Sequence, residues 1–210
     1  GFVYGKESIG LVAATGCNTV YGATYPYNPF LVPWSNSLFE NVSTFAMGVR
    51  ARWDQKGWQD KKLWAIGGDG AMLDIGFQAL SRLFMSGMNI NVIILDTQVY
   101  SNTGGQASSG TFTGQAAKMS AFGSDSHGKS ERRKEIANIA MAHPNVFVAQ
   151  TTAAHPNHFY KAIMEANEHP GPSVVNVYTS CQPEHGIADN KSYDQAKLAV
   201  DCRVFPIFTF

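Results

Sequence analysis

Apolar runs of strand length alternate with longer amphipathic segments along this chain. The runs IGLVAATG (9–16), KLWAIGGD (62–69), INVIILDT (90–97), NVFVAQTT (145–152) and PSVVNVYTS (172–180) predict strands. INVIILDT is a continuous Ile/Val/Leu block, the kind of strand buried on both faces of a parallel sheet. Between the strands, residues 37–56 predict a helix with Ser37 as its cap and Leu38, Val42, Phe45 and Val49 on one face. Residues 71–87 predict a helix that Gly87 stops. Residues 130–143, 155–169 (Pro156 in the first turn) and 192–202 predict three more. Strand alternating with helix predicts an α/β fold: an open, mainly parallel sheet with helices on both faces. Ligands of such sheets sit beyond the carboxyl ends of the strands.

Three strands end there in polar or glycine-rich sequence: ATGC, GGDG and LDTQVYSNTGG. The stretch 100–115, YSNTGGQASSGTFTGQ, is too polar for core and too long for a simple connection, so it predicts a functional loop. ERRKE (131–135) reads as a solvated helix start, and Asp74 and Glu40 as structural members of amphipathic helices.

Composition narrows the class. The 210 residues are 44% hydrophobic and carry 16 basic and 16 acidic side chains, which suits one domain, residues 1–210, as a fragment or subunit of a larger enzyme. Zero net charge gives no basic stripe for nucleic acid or a membrane surface, and no apolar run spans a bilayer. The opening GFVYGKESIG lacks the features of a secretory leader. Cys17, Cys181 and Cys202 lie far apart, not as a disulfide framework, so a cytoplasmic location is expected and the sequons at Asn41 and Asn190 carry no meaning.

Asp69 sits between two glycines where a strand gives way to a helix, and alone it reads first as a helix cap, with part of a phosphate loop or a metal ligand as the alternatives. Twenty-eight residues on, at the next strand end, stands Thr97, with Val99 two further along. One βαβ unit has about this length, so neighbouring strand ends would bring them together. A carboxylate, a hydroxyl and a backbone carbonyl are three hard oxygens, the partial set with which proteins hold Mg²⁺ beside substrate phosphates. Gly68, Gly70 and Ala71 would let backbone N–H groups approach a diphosphate at the start of the helix.

GDGAMLDIGFQAL, LDTQVYSNTGGQAS, ATGCNTVYG, WSNSLFEN and YTSCQPEHGI together resemble the thiamine-diphosphate-binding domain of the pyruvate:ferredoxin (2-oxoacid:acceptor) oxidoreductase family. The resemblance implies that Asp69, Thr97 and the Val99 carbonyl bind Mg²⁺. It implies that Cys17, Gly68 to Ala71, and Thr97, Gln98, Val99, Tyr100, Ser101 and Asn102 line thiamine diphosphate. Asn102 would be the catalytic residue facing the reacting atoms. Cys17 and Cys181 would be two ligands of a [4Fe–4S] cluster, whose CxxC pair in the family precedes the ATGC strand. The implied reaction is oxidative decarboxylation of a 2-oxoacid, pyruvate by default, with coenzyme A as acyl acceptor and ferredoxin as electron acceptor. The family's second glutamate-bearing domain has no match here, so a partner domain or chain and an oligomeric assembly are expected. A cluster-free thiamine decarboxylase or acyl transferase, and a non-catalytic domain of the same fold, are the alternatives.

Overall fold

The computed structural model describes residues 6–210; the first five, the opening of the stretch that lacks the features of a secretory leader, lie outside the described residues. The strands are β1 (Ile9–Ala14), β2 (Trp34–Ser37), β3 (Lys62–Gly68), β4 (Asn91–Asp96), β5 (Val99–Tyr100), β6 (Gln106–Ala107), β7 (Phe147–Thr152), β8 (Ser173–Tyr178) and β9 (Phe208–Thr209). The helices are α1 (Cys17–Gly22), α2 (Val42–Gln55), α3 (Phe77–Met85), α4 (Ile136–Met141), α5 (Pro156–Glu168), α6 (Gln182–His185) and α7 (Ser192–Asp201). Seven strands form one sheet in the order β2-β1-β3-β4-β8-β7-β9, parallel except for β9, while β5 and β6 make a separate antiparallel ribbon.

Alternation within the strands explains the layers. Leu63 and Ala65 of β3 join Val12, Val92 and Val174 against α2, α3 and α4. Trp64 and Ile66 join Leu11, Val175 and Val177 against α5 and the 30–34 segment. Leu80, Leu83 and Phe84 of α3 are buried to within 1% and anchor that helix, each contributing about 1.5–3 kcal/mol.

The chain leaves β1 toward β2 on one side and leaves β3 toward β4 on the other. The crevice between the carboxyl ends of β1 and β3 is therefore the switch point at which open sheets bind ligands.

Several expected elements moved. The helix expected from Ser37 begins at Val42, because Trp34–Ser37 pairs with β1 as an edge strand instead. Its buried face is Val42, Ser43, Ala46 and Arg50, whereas Leu38 and Phe45 are exposed. The expected 71–87 helix starts as a π-helical turn, Gly70–Ile75, before α3. Gly76 closes that turn with its N–H on the Ala71 carbonyl at 2.9 Å, and a Cβ there would lie 2.4 Å from that oxygen. Gly87 follows α3 at φ +69, as a helix stop requires.

Residues 130–135 are not helical, and α4 begins only at Ile136. Arg133 turns inward to the fully buried Asp96 at 2.6 Å, so only Glu131, Arg132 and Glu135 of ERRKE are exposed as a solvated segment would be. Lys129 donates to the carbonyls of Ser109 at 3.2 Å and Thr111 at 3.0 Å, and Lys134 reaches Leu73 O. Lys129 thus bonds the polar loop itself, while Arg133 and Lys134 bond β4 and the Gly70–Ile75 turn. The loop itself contains β5 and β6 and buries Ser108 and Thr111, which satisfy their hydroxyls by hydrogen bonds rather than by exposure.

Candidate active site at the sheet switch point

Asp69 follows β3 in helical backbone, φ −58 and ψ −42, but its side chain caps nothing. It crosses to the end of β4, where Oδ1 accepts from Thr97 N–H at 3.3 Å and Thr97 Oγ1 at 3.0 Å, and Oδ2 accepts from Ser108 Oγ. Thr97 Oγ1 also lies 3.0 Å from the Val99 carbonyl oxygen and accepts from Ser101 Oγ at 2.7 Å. The hydroxyl has one proton and cannot donate to both oxygens at once. Thr97 Oγ1 thus stands 3.0 Å from both a carboxylate and a carbonyl oxygen, and these three oxygen types are the donor chemistry Mg²⁺ takes.

Asp69 is 1% exposed. Burial, reinforced by the Asp96 carboxylate, pushes its acid up to about 7 against the bonds from Ser108 and Thr97. A cation bound there would favour the ionised form.

Gly70 is flat against Tyr100: a Cβ would stand 2.4 Å from the ring. What the structure shows for Gly70 is room for the Tyr100 ring. Tyr100 Oη donates to Asp74 Oδ2 at 2.6 Å; burial and this carboxylate push the phenol well above its ordinary value. Asp74 also accepts from Ser109 N–H at 3.0 Å and from Ser109 Oγ, and pairs with Lys134 at 3.7 Å. It ties the π-helical turn to the loop over the site, a structural part as expected.

These groups open into a cavity of about 560 Å³. Four strand ends line it: Thr15 to Asn18 at that of β1, Gly68 to Ala71 at that of β3, Leu95, Thr97 and Val99 to Thr103 at that of β4, and Thr179 to Pro183 at that of β8. Of the expected site residues, Cys17, Gly68, Asp69, Gly70, Ala71, Thr97, Val99, Tyr100, Ser101, Asn102 and Cys181 all border it. Gln98 does not. It is 1% exposed and its amide donates to the Asp96 backbone and side chain.

Burial raises the Cys17 thiol, Cys181 adds to the rise, and the Asn102 side chain opposes it by a hydrogen bond. Cys202 lies at the end of α7 and outside the cavity. Among the described residues, no three His, Cys, Asp or Glu side chains gather as a metal site. Sequence reasoning missed Ser108, Tyr21 and Ile75 at the site, and the Asp96–Arg133 pair behind it. Ser108 had a signal, a hydroxyl in the polar loop; the ion pair had none, since Arg133 sits 37 residues from Asp96 in a charge run.

A mainly parallel sheet with an oxygen cradle at its switch point defines an α/β ligand-binding domain. Residues 14–177 match the family described as thiamine pyrophosphate enzyme, C-terminal TPP binding domain. The chain is 36% identical over 206 residues to pyruvate synthase subunit PorB of Pyrococcus horikoshii, covering 98% of this chain and 62% of that one. It is 35% identical over 213 residues to the PorB subunit of Methanocaldococcus jannaschii, covering 98% and 71%. A pyruvate-flavodoxin oxidoreductase of Rhodospirillum rubrum is 30% identical over 270 residues, covering 94% of this chain and 22% of that one. A 2-oxoglutarate:ferredoxin oxidoreductase from Magnetococcus marinus has the same fold, with a TM-score of 0.73 at 20% identity over 90% of this chain and 59% of that chain. The chain belongs to the pyruvate:ferredoxin (2-oxoacid:acceptor) oxidoreductase family, as its thiamine-diphosphate-binding domain. It spans 62% of the length of its Pyrococcus relative. Among the described residues no helix is long and apolar enough to cross a membrane.

Proposed function

We propose that this chain holds Mg²⁺-thiamine diphosphate as one domain of a 2-oxoacid:ferredoxin oxidoreductase, with pyruvate the default substrate, coenzyme A the acyl acceptor and ferredoxin the electron acceptor. The observation that carries the cofactor half is the meeting of Asp69 Oδ1, Thr97 Oγ1 and the Val99 carbonyl at 3.0 Å spacings beside the cavity. The reaction half rests on the relatives' names, pyruvate synthase subunit and pyruvate-flavodoxin oxidoreductase.

When bound, thiamine diphosphate supplies the nucleophilic carbon and electron sink for decarboxylating a 2-oxoacid. The chain's own work is holding and orienting. Asp69, Thr97 and Val99 would hold the cation, and the backbone amides at the start of the Gly70–Ile75 turn would bind the diphosphate. Asn102, which lines the cavity with Cys17, would be the side chain that faces the reacting atoms. Cys17 and Cys181 fit half of a four-thiolate cluster set, the other half coming from sequence or a chain outside this one.

One observation favours a second reading, a cluster-free thiamine enzyme: the site borders on two thiols only. Iron content and the visible spectrum of the anaerobically purified whole enzyme separate the two. About four irons per site supports the cluster; none leaves the cluster-free enzyme. For the main reading, pyruvate-dependent viologen reduction should need the partner chains and added coenzyme A. Full turnover by this chain alone would contradict it.

A further inference from the structure

Asp96 is fully buried and contributes no oxygen to the cradle, yet it directly precedes Thr97. Its Oδ2 accepts from Arg133 Nη2 at 2.6 Å and Asn176 Nδ2 at 3.4 Å, and its Oδ1 accepts from Gln98 Nε2 at 3.3 Å. Arg133 is held in turn, its guanidinium 4.6 Å from the Phe112 ring centroid and 5.5 Å from that of Phe205.

Gln98 stands at φ +59, in the left-handed region. A long side chain occupies that region only when its surroundings hold it there. Here the holding bonds run from Gln98 Nε2 to Asp96, and from Thr111 Oγ1 to the Gln98 carbonyl. The left-handed residue reverses the chain so that Thr97 Oγ1 and the Val99 carbonyl come to 3.0 Å of each other. Asp96 is also close to Asp69: a Cβ on Gly110 would lie 3.3 Å from Asp96 Oδ1 and 3.4 Å from Asp69 Oδ2. One glycine separates two carboxylates, and Arg133 is the countercharge paired with the one behind.

We propose that Arg133 and Asp96 are positioning residues for the cation. Arg133 fixes the Asp96 carboxylate, Asp96 fixes Gln98 in its left-handed conformation, and Gln98 sets the spacing of the Thr97 and Val99 oxygens. The inference rests on the Mg²⁺ reading of the cradle. Its test must separate positioning from simple loss of stability. Mg²⁺ demands tight octahedral bonds of about 2.1 Å, whereas Ca²⁺ tolerates longer and irregular ones. A fault in oxygen spacing therefore discriminates between the ions, and a general weakening does not.

The experiment titrates Mg²⁺ and, separately, Ca²⁺ into the assembled enzyme and reads thiamine diphosphate binding calorimetrically, with Tm measured on the same samples. Arg133→Gln should raise the half-saturating Mg²⁺ concentration about tenfold or more, and that of Ca²⁺ by less than about threefold. The double variant Asp96→Asn/Arg133→Gln removes both charges and keeps an oxygen for Gln98. It should return both ions to within about threefold of wild type. If Arg133→Gln fails to assemble, Gln98→Ala carries the test and must show the same Mg²⁺-selective loss. Equal losses for the two ions, or a lowered Tm with unchanged half-saturation, would overturn the proposal. Failure of the underlying reading looks different: wild-type enzyme would then bind the cofactor without any divalent cation.

Discussion

Replacing Asp69 by asparagine is expected to stabilise the metal-free protein at pH 8 while abolishing its hold on the cation. Asp69 is a buried carboxyl, raised from 3.8 to about 7 by burial and by Asp96. A carboxyl whose folded value lies above its unfolded value stabilises the fold fully below the unfolded value. That contribution is lost as the pH rises through the folded one. The gap, at ~1.4 kcal/mol per pH unit, makes the ionised side chain cost roughly 4 kcal/mol at pH 8. Asparagine never ionises. It keeps one oxygen for Thr97, and its amide can meet Ser108 Oγ, which can turn to accept, so imperfect pairing should cost no more than about 1 kcal/mol. The net gain should be about 3 kcal/mol at pH 8, vanishing or reversing toward pH 5. Urea unfolding in EDTA at the two pH values measures it. Asp69→Asn less stable than wild type at pH 8 would refute the reasoning, because Asp69 would then ionise without cost.

Other perturbations separate the parts of the site. Thr97→Val removes a hydroxyl at constant shape and should raise half-saturating Mg²⁺ at least about tenfold, read by cofactor calorimetry; Thr97→Asn, which offers an amide oxygen, should recover most of it. Gly70→Ala would drive a Cβ to 2.4 Å from Tyr100 and loosen its bond to Asp74, costing about 1–3 kcal/mol in urea unfolding and weakening cofactor binding. Arg50→Met is the remote control. It unpairs the Lys61 and Trp58 carbonyls, now held at 2.8 and 2.7 Å, and should cost about 3 kcal/mol while leaving half-saturating Mg²⁺ unchanged.

What could be read from the sequence was what local pattern encodes. The β4 run of Ile, Val and Leu and the turn after β3 were legible because burial on both faces and a Gly-Asp-Gly junction each leave a local trace. The spacing from Asp69 to Thr97 was legible because one βαβ unit has a fixed reach. β2 was not: Trp34–Ser37 has no apolar alternation and exists as a strand through pairing with β1. Residues 131–135 were misread for the opposite reason. Their charges match a solvated helix start, and only the tertiary fold supplies Asp96 as a buried partner for Arg133 and the Leu73 carbonyl for Lys134. Gln98 was taken for a lining residue because its neighbours are; its left-handed backbone, which turns the side chain away, leaves no mark in composition.

The central claim is that the oxygens of Asp69, Thr97 and Val99 bind a divalent cation that in turn holds thiamine diphosphate. Calorimetric titration of thiamine diphosphate into the assembled enzyme, with Mg²⁺ and with EDTA, for wild type and Asp69→Asn, tests it directly. Wild type should bind only with Mg²⁺, and Asp69→Asn should not bind in either buffer. Equal binding in EDTA, or an Asp69→Asn affinity matching wild type, would contradict it.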